Sequence, residues 1–375
     1  MNKKLLLIFV FFILIIVATI SIFIFRIFSD TDSEGLALST TDIMINENRL
    51  PSDISELELV FFPVEADEFG SIGFGIWDGY IASEHSIDPI RLETPQDRLN
   101  ISLTNDSVEE INVIIKVFYN YQEATFRIVG SETYVTEFIF TMPGGYDVDI
   151  PFHLDPTLEA GETLSKLTVA VFPNPENFTM QEQESEDSVH YFHTGLVLDF
   201  EINYGSDLPL SLSVPESDTV DDVHDMWGIF TVNAESEPVI GGGFMPPPYL
   251  LQVTPNEQVE LAFFGNMSVW EMVGMAPHGE AIERTTEITD YLIISMLDWQ
   301  QIPMNGDPYL WLRGREGERG GVTYGQHGRF YIEAPSEPGF YEFVAFLVHN
   351  PKSSFAWETF VPLEVATRFT IEVVE

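Results

Sequence analysis

Apolar and polar positions alternate along most of this chain. Ile111, Val113, Ile115, Val117 and Tyr119 fall on one face of a period-two run. Tyr146, Val148, Ile150, Phe152 and Leu154 alternate with Asp147, Asp149, Pro151 and His153. Farther on, Phe340, Val344, Phe346 and Val348 share a face, as do Phe369, Ile371 and Val373. A period of two is the side-chain repeat of a strand. One apolar and one polar face predict antiparallel sheet packed on a single side. Short runs punctuated by Gly, Pro and Asn predict a β-sandwich. Glu280–Trp299 is the one stretch with helical character, and Ile282, Thr285, Thr286, Ile288, Thr289, Ile293 and Ile294 favour strand over its second half.

One segment breaks the alternation. Leu5 to Phe25 is apolar throughout except for Thr19 and Ser21. At helical rise it spans roughly 32 Å, the hydrocarbon thickness of a bilayer. The bulky exit Phe25-Arg26-Ile27-Phe28 lacks the small residues of a signal-peptidase site. The expectation is an uncleaved transmembrane anchor within residues 1–28. Lys3 and Lys4, against the single Arg26 beyond, set the N-terminus in the cytoplasm and the rest outside. Residues 29–56 are polar and acidic without a sustained period and are expected to form a stalk.

Beyond the stalk the chain repeats itself. LELVFFPVEADEFGSIGFGIW from Leu57 corresponds to LSLSVPESDTVDDVHDMWGIF from Leu210, and PIRLETPQDRLNISLTNDS from Pro89 to PYLLQVTPNEQVELAFFGNMS from Pro248. EAGETLSKLTVAVFPNPENF from Glu159 corresponds to SEPGFYEFVAFLVHNPKSSF from Ser336. GLVLDFEINYG, ending at Gly205, corresponds to ATRFTIEVVE, ending at Glu375. Four matched blocks in one order predict a duplication. The expected fold is all-β: two tandem antiparallel β-sandwich domains, 57–205 and 206–375, immunoglobulin-like in layout alone.

Charge narrows the partners. All 60 acidic residues lie at or after Asp30, against 13 of the 16 basic ones, a net excess of 47 negative charges. Such a field disfavours nucleic acid and anionic lipid surfaces. It suits solubility in a screening medium, or binding of cations or of a cationic partner. With no cysteine the domains cohere by burial alone, and 45% hydrophobic residues with 30 Phe provide two cores.

Catalytic patterns are missing from the sequence. It has no Gly-Lys pair for a P-loop, no G-x-S-x-G elbow and no H-E-x-x-H. His190 and His193 stand three apart in a strand-like run, an offset that puts them on opposite faces. Asp218, Asp221, Asp222, His224 and Asp225 crowd a loop before Trp227, mirrored by Glu65, Asp67 and Glu68. Clustered loop carboxylates suit calcium, so Asp218, Asp221, Asp222 and Asp225 are candidate ligands, and calcium is the one cofactor considered. Arg313, Arg315 and Arg319, followed by Arg329, form a basic island suited to bidentate carboxylates. Five of the six Trp, including Trp311, fall in the second copy. Phe244, Met245 and Tyr249 belong to a glycine–proline loop, 241–249, that reads as a contact surface. Asn100, Asn105, Asn177 and Asn266 are glycosylation candidates.

The expected function is a membrane-anchored extracellular tandem sandwich that binds, adheres or organises the envelope without catalysis. Its partners would be an extracellular protein or an envelope polymer, its ectodomain monomeric. The alternatives are a carbohydrate- or envelope-polymer-binding module pair, with calcium as its candidate cofactor, and an extracellular hydrolase acting through paired carboxylates.

Overall fold

Strands in the first half of the chain are β1 (Phe61–Pro63), β2 (Ile72–Asp78), β3 (Ile90–Arg91), β4 (Leu99–Asn105), β5 (Ile111–Tyr119), β6 (Gln122–Glu123), β7 (Phe126–Ile128), β8 (Glu137–Met142), β9 (Tyr146–Leu154), β10 (Ser165–Pro173) and β11 (Leu196–Asn203). The second half contributes β12 (Asp221–His224), β13 (Phe230–Asn233), β14 (Leu250–Val253), β15 (Gln258–Asn266), β16 (Asp290–Leu297), β17 (Gln300–Ile302), β18 (Leu310–Arg313), β19 (Tyr324–Glu333), β20 (Gly339–His349) and β21 (Ala366–Val373). The computed structural model describes residues 46, 49, 59–66, 72–78, 90–91, 97–158, 165–178, 196–203, 221–224, 230–233, 250–266, 290–313, 324–349, 351 and 366–375. Among these there is no α-helix, and no helix long and apolar enough to cross a membrane. The chain divides into Met1–Ile43 and Met44–Glu375. The apolar run 5–25 lies outside the described residues.

Four sheets form. In the first half the orders are β1-β9-β4-β2, with β7 also on β9, and β3-β11-β10-β5-β6, with β8 also on β5. In the second they are β12-β19-β15-β13 and β14-β21-β20-β16-β17, with β18 also on β16. Apart from β7, each strand has a counterpart in the other half. Pairing is antiparallel except at one edge of each larger sheet, where β3 runs parallel to β11 and β14 to β21. Antiparallel sheets were expected, and each larger sheet adds one parallel edge pair. It follows from a chain that leaves β3 or β14 for the opposite sheet and reaches the larger sheet's last strand only at the end.

Alternation fills each half as the sequence predicts. Ile111, Val113, Ile115, Val117 and Tyr119 share a core with Leu99, Ile101, Leu103, Val148, Ile150, Phe152 and Leu154. In the second half Phe369, Ile371 and Val373 join Val259, Leu261 and Phe263 from the facing sheet. The Gly328 backbone passes so close to the Phe263 ring that a Cβ there would lie 2.5 Å from it.

A third core was not expected. Ile114, Phe118, Ala170 and Phe172, on the other faces of β5 and β10, pack with Leu292, Ile294, Met296, Val344, Phe346 and Val348 of β16 and β20. The two larger sheets are therefore buried on both faces, and the four sheets stack as layers. The premise of one polar face fails for these sheets, because their second face meets the other half instead of water.

Candidate functional site: the seam between the halves

The seam is built from equivalent parts of the two halves. The β5–β6 hairpin turns through Asn120 (φ 49°) and Tyr121 (φ 65°), and the β16–β17 hairpin through Asp298 (φ 49°) and Trp299 (φ 65°). Two consecutive positive φ values make both type I′ turns, the form that matches strand twist. A bulky aromatic in this region is strained, and here each ring is buried across the seam. Tyr121 Oη donates to the Pro351 carbonyl (3.1 Å), and Trp299 Nε1 donates to the Pro175 carbonyl (3.2 Å). Each half thus inserts one aromatic turn residue against a proline carbonyl of the other. Gln301 adds a crossing between the hairpins: its Oε1 accepts the Glu123 N–H (2.6 Å) and its Nε2 donates to the Tyr121 carbonyl (2.8 Å).

Charge is buried in the same seam. Arg368 is 2% exposed and Glu342 1%. Arg368 Nε donates to Glu342 Oε1 (2.5 Å), Nη1 to the Pro173 carbonyl (3.0 Å), and Nη2 to the carbonyls of Asn174 (2.9 Å) and Asn177. Its guanidinium lies 5.0 Å from the centre of the Trp299 ring. Thr370 Oγ1 donates to the other Glu342 oxygen (2.9 Å). Lys116 and Lys166 are fully buried as well, Lys116 against Glu123 and Glu137. The turn amides of Asn120 and Asp298 donate to the Lys166 and Glu342 carbonyls, which makes Lys166 and Glu342 equivalent positions of opposite charge. That equivalence slides the third sequence match by one residue.

Of the candidate binding residues, Trp311 and Arg313 lie among the described residues. Trp311 is 4% exposed and packs edge-on against Tyr121 inside the seam, so it is not offered to an outside partner; this corrects the expected role. Arg313 ends β18 opposite Asp290. Phe244, Met245, Tyr249, Arg315, Arg319, Asp218, Asp225, His190 and His193 lie outside the described residues. Asp221 and Asp222 belong to strand β12, opposite His327 and Gln326, where a loop was expected. Among the described residues no three His, Asp or Glu side chains converge as metal ligands.

Two sequons are corrected too. Asn100 and Asn105 are buried in β4. Asn105 Nδ2 donates to the Glu109 (2.9 Å) and Pro143 (3.2 Å) carbonyls while its Oδ1 accepts from Ser107 Oγ (2.7 Å). An amide nitrogen committed in this way has no room for a glycan. Asn177 is partly buried at the seam, and Asn266 ends β15.

Titration is perturbed at four described groups. The Thr125 hydroxyl, then the Thr157 hydroxyl and amide, hold the Asp155 carboxyl below its usual range. The Thr254 amide and hydroxyl do the same for Glu257. Burial and then Asp307 raise Tyr309, which stacks edge-on with Tyr121 at the rim of the seam. Burial, then Glu337 and Asp298, raise Tyr341.

Fold and seam together define the class: an all-β chain of stacked antiparallel sandwiches. No protein-family model matches the chain, and no curated protein does. Among solved structures it is similar to the C-terminal domain of the Streptococcus agalactiae AgI/II polypeptide BspA (11% identity, 81% of this chain and 100% of that one, TM-score 0.19). It is similar also to the C-terminal domain of the Streptococcus pyogenes antigen I/II-family protein AspA (9% identity, 81% and 100%, TM-score 0.20). The CupB6 tip adhesin of Pseudomonas aeruginosa is a third (10% identity, 84% and 100%, TM-score 0.19). Likenesses at this level carry no argument about function.

Proposed function

We infer that this chain is a membrane-anchored protein of the cell exterior, a tandem duplication whose two sandwiches are fused face to face, and that it binds, adheres or organises the envelope without catalysis. The observation that carries the non-catalytic reading is the filled seam. A junction between domains is a common place for a ligand cleft, and here it is occupied by Phe118, Phe172, Trp299, Trp311, Phe346 and the Arg368–Glu342 pair. The sandwiches serve one another, which leaves recognition to their outer loops. Matching strand orders support the duplication, and the apolar run 5–25 behind Lys3 and Lys4 supports the anchor. For the binding end the reading keeps two separate sequence candidates, the loop with Phe244, Met245 and Tyr249 and the basic island of Arg313, Arg315 and Arg319. Sugar stacking on tryptophan loses Trp299 and Trp311, both buried.

Two experiments test this. Cell fractionation should find the full chain in membranes, resistant to salt extraction, with its C-terminal part removed by protease added to intact cells. Recovery in the soluble fraction, or complete protection from protease, would refute the anchor and its orientation. Surfaces coated with Met44–Glu375 should retain cells or purified envelope polymer, and Phe244→Ser with Tyr249→Ser should lower retention. Equal retention by the variant would remove the contact surface.

A further inference from the structure

We propose that the segment before the first strand is a clasp that holds the two halves closed. Within the expected stalk, Asn46 and Arg49 are docked on the seam. The Arg49 amide donates to the Asn46 carbonyl (2.9 Å), closing a turn, and the Asn46 amide donates to the Glu176 carbonyl of the first half (2.7 Å). Asn46 Nδ2 donates to Asp298 Oδ1 of the second half (3.1 Å). Arg49 divides its guanidinium the same way: Nη1 pairs with Glu137 of the first half, and Nη2 with the Asp298 carbonyl and Oδ2 (3.4 Å) of the second. Arg49 is 7% exposed.

The attachment points are those that already join the halves. Asp298 opens the turn that inserts Trp299. Glu137 also faces Lys116 (3.7 Å), and Glu176 receives Asn112 Nδ2 (2.9 Å) in the Asn-Pro turn that Trp299 and Arg368 grip. Parting the halves would strip Arg49 of one carboxylate or the other and leave a buried cation half-paired. Charge-assisted bonds to buried partners are among the stronger ones. The segment that leads from the apolar N-terminal run is therefore fastened to both sandwiches, and the second half is tethered through Asp298 as well as through its covalent link to the first.

The chain has no cysteine, so single thiols can report opening. Ala170→Cys sits in the core between the halves, and Val169→Cys in the core within the first half. In the full-length chain, thiol labelling at each position measures how often that core opens. Arg49→Ala is expected to speed labelling at position 170 by about tenfold or more, the loss of one to two charge-assisted bonds, with position 169 unchanged. Asn46→Ala should do the same more weakly, and Arg49→Lys should recover part of the protection; both serve if Arg49→Ala does not fold. Equal acceleration at 169 and 170, or none at either, would overturn the clasp.

Discussion

Replacing Arg368 by alanine strips a buried carboxylate of its main partner. Glu342, 1% exposed, keeps the Thr370 hydroxyl. The carbonyls of Pro173, Asn174 and Asn177 lose their guanidinium donors, and the Trp299 ring loses the cation above it. Removing one member of a buried pair costs about 3–5 kcal/mol, because the remaining charge stays desolvated. The orphaned carbonyls push toward the upper end, at about 1 kcal/mol or more each, while water entering the vacated space offsets part of this. Urea unfolding of Met44–Glu375, followed by tryptophan fluorescence, measures the difference.

The double variant Arg368→Met with Glu342→Met separates net pairing from stranded charge. Both charges then leave together and the space is refilled with apolar volume, so most of the loss should return, to within about 1–2 kcal/mol of the parent. An Arg368→Ala cost below about 1 kcal/mol would refute the burial of the pair. A double variant no better than the single one would show that the guanidinium acts through the 173–177 carbonyls instead of through Glu342.

Trp299→Ala removes a fully buried ring and its bond to Pro175, a loss of about 3–5 kcal/mol in the same assay, whereas Tyr121→Phe keeps the ring and removes the bond to Pro351, about 1 kcal/mol. Asp155 has a folded-state pKa depressed by Thr125 and Thr157, so its contribution is present above the ordinary carboxyl value and is lost as pH falls through the folded value, below about pH 4. Asp155→Asn should flatten that part of the acid-unfolding profile, and an unchanged slope would refute the assignment. Expressed in a glycosylating host, the folded protein should carry no glycan at Asn105, whose amide is committed to Glu109 and Pro143; glycopeptide mass spectrometry decides.

Faces that obey strict alternation were legible in the sequence. In β9, apolar Val148, Ile150, Phe152 and Leu154 alternate with polar neighbours and do face the core. The strand assigned to the second half of Glu280–Trp299 is β16. The seam was harder to read because burial on both faces replaces alternation with near-continuous apolar runs. INVIIKVFY in β5 and SKLTVAVFP in β10 have that form, and each holds a lysine that reads as a surface residue. Neither hairpin turn contains glycine, so Asn120-Tyr121 and Asp298-Trp299 lack the Asn-Gly signal of a type I′ turn. One clue was present: beyond residue 30 the lysines are only Lys116, Lys166 and Lys352. A chain that needed positive charge merely for solubility would not hide two of them.

That placement also answers a physical difficulty in the composition. Two sandwiches in a chain with 47 excess negative charges beyond residue 30 should repel one another, most strongly at low ionic strength. Of the described basic side chains, Arg49, Lys116, Lys166 and Arg368 are the buried ones. All four sit where the halves meet or on the strands that face each other, and they leave the outer surface more acidic than the composition implies. Buried pairs are screened far less by salt than exposed ones. Attraction in the seam therefore persists where repulsion between the surfaces varies with the medium. The apolar core excludes water, and the buried cations neutralise the carboxylates closest to it.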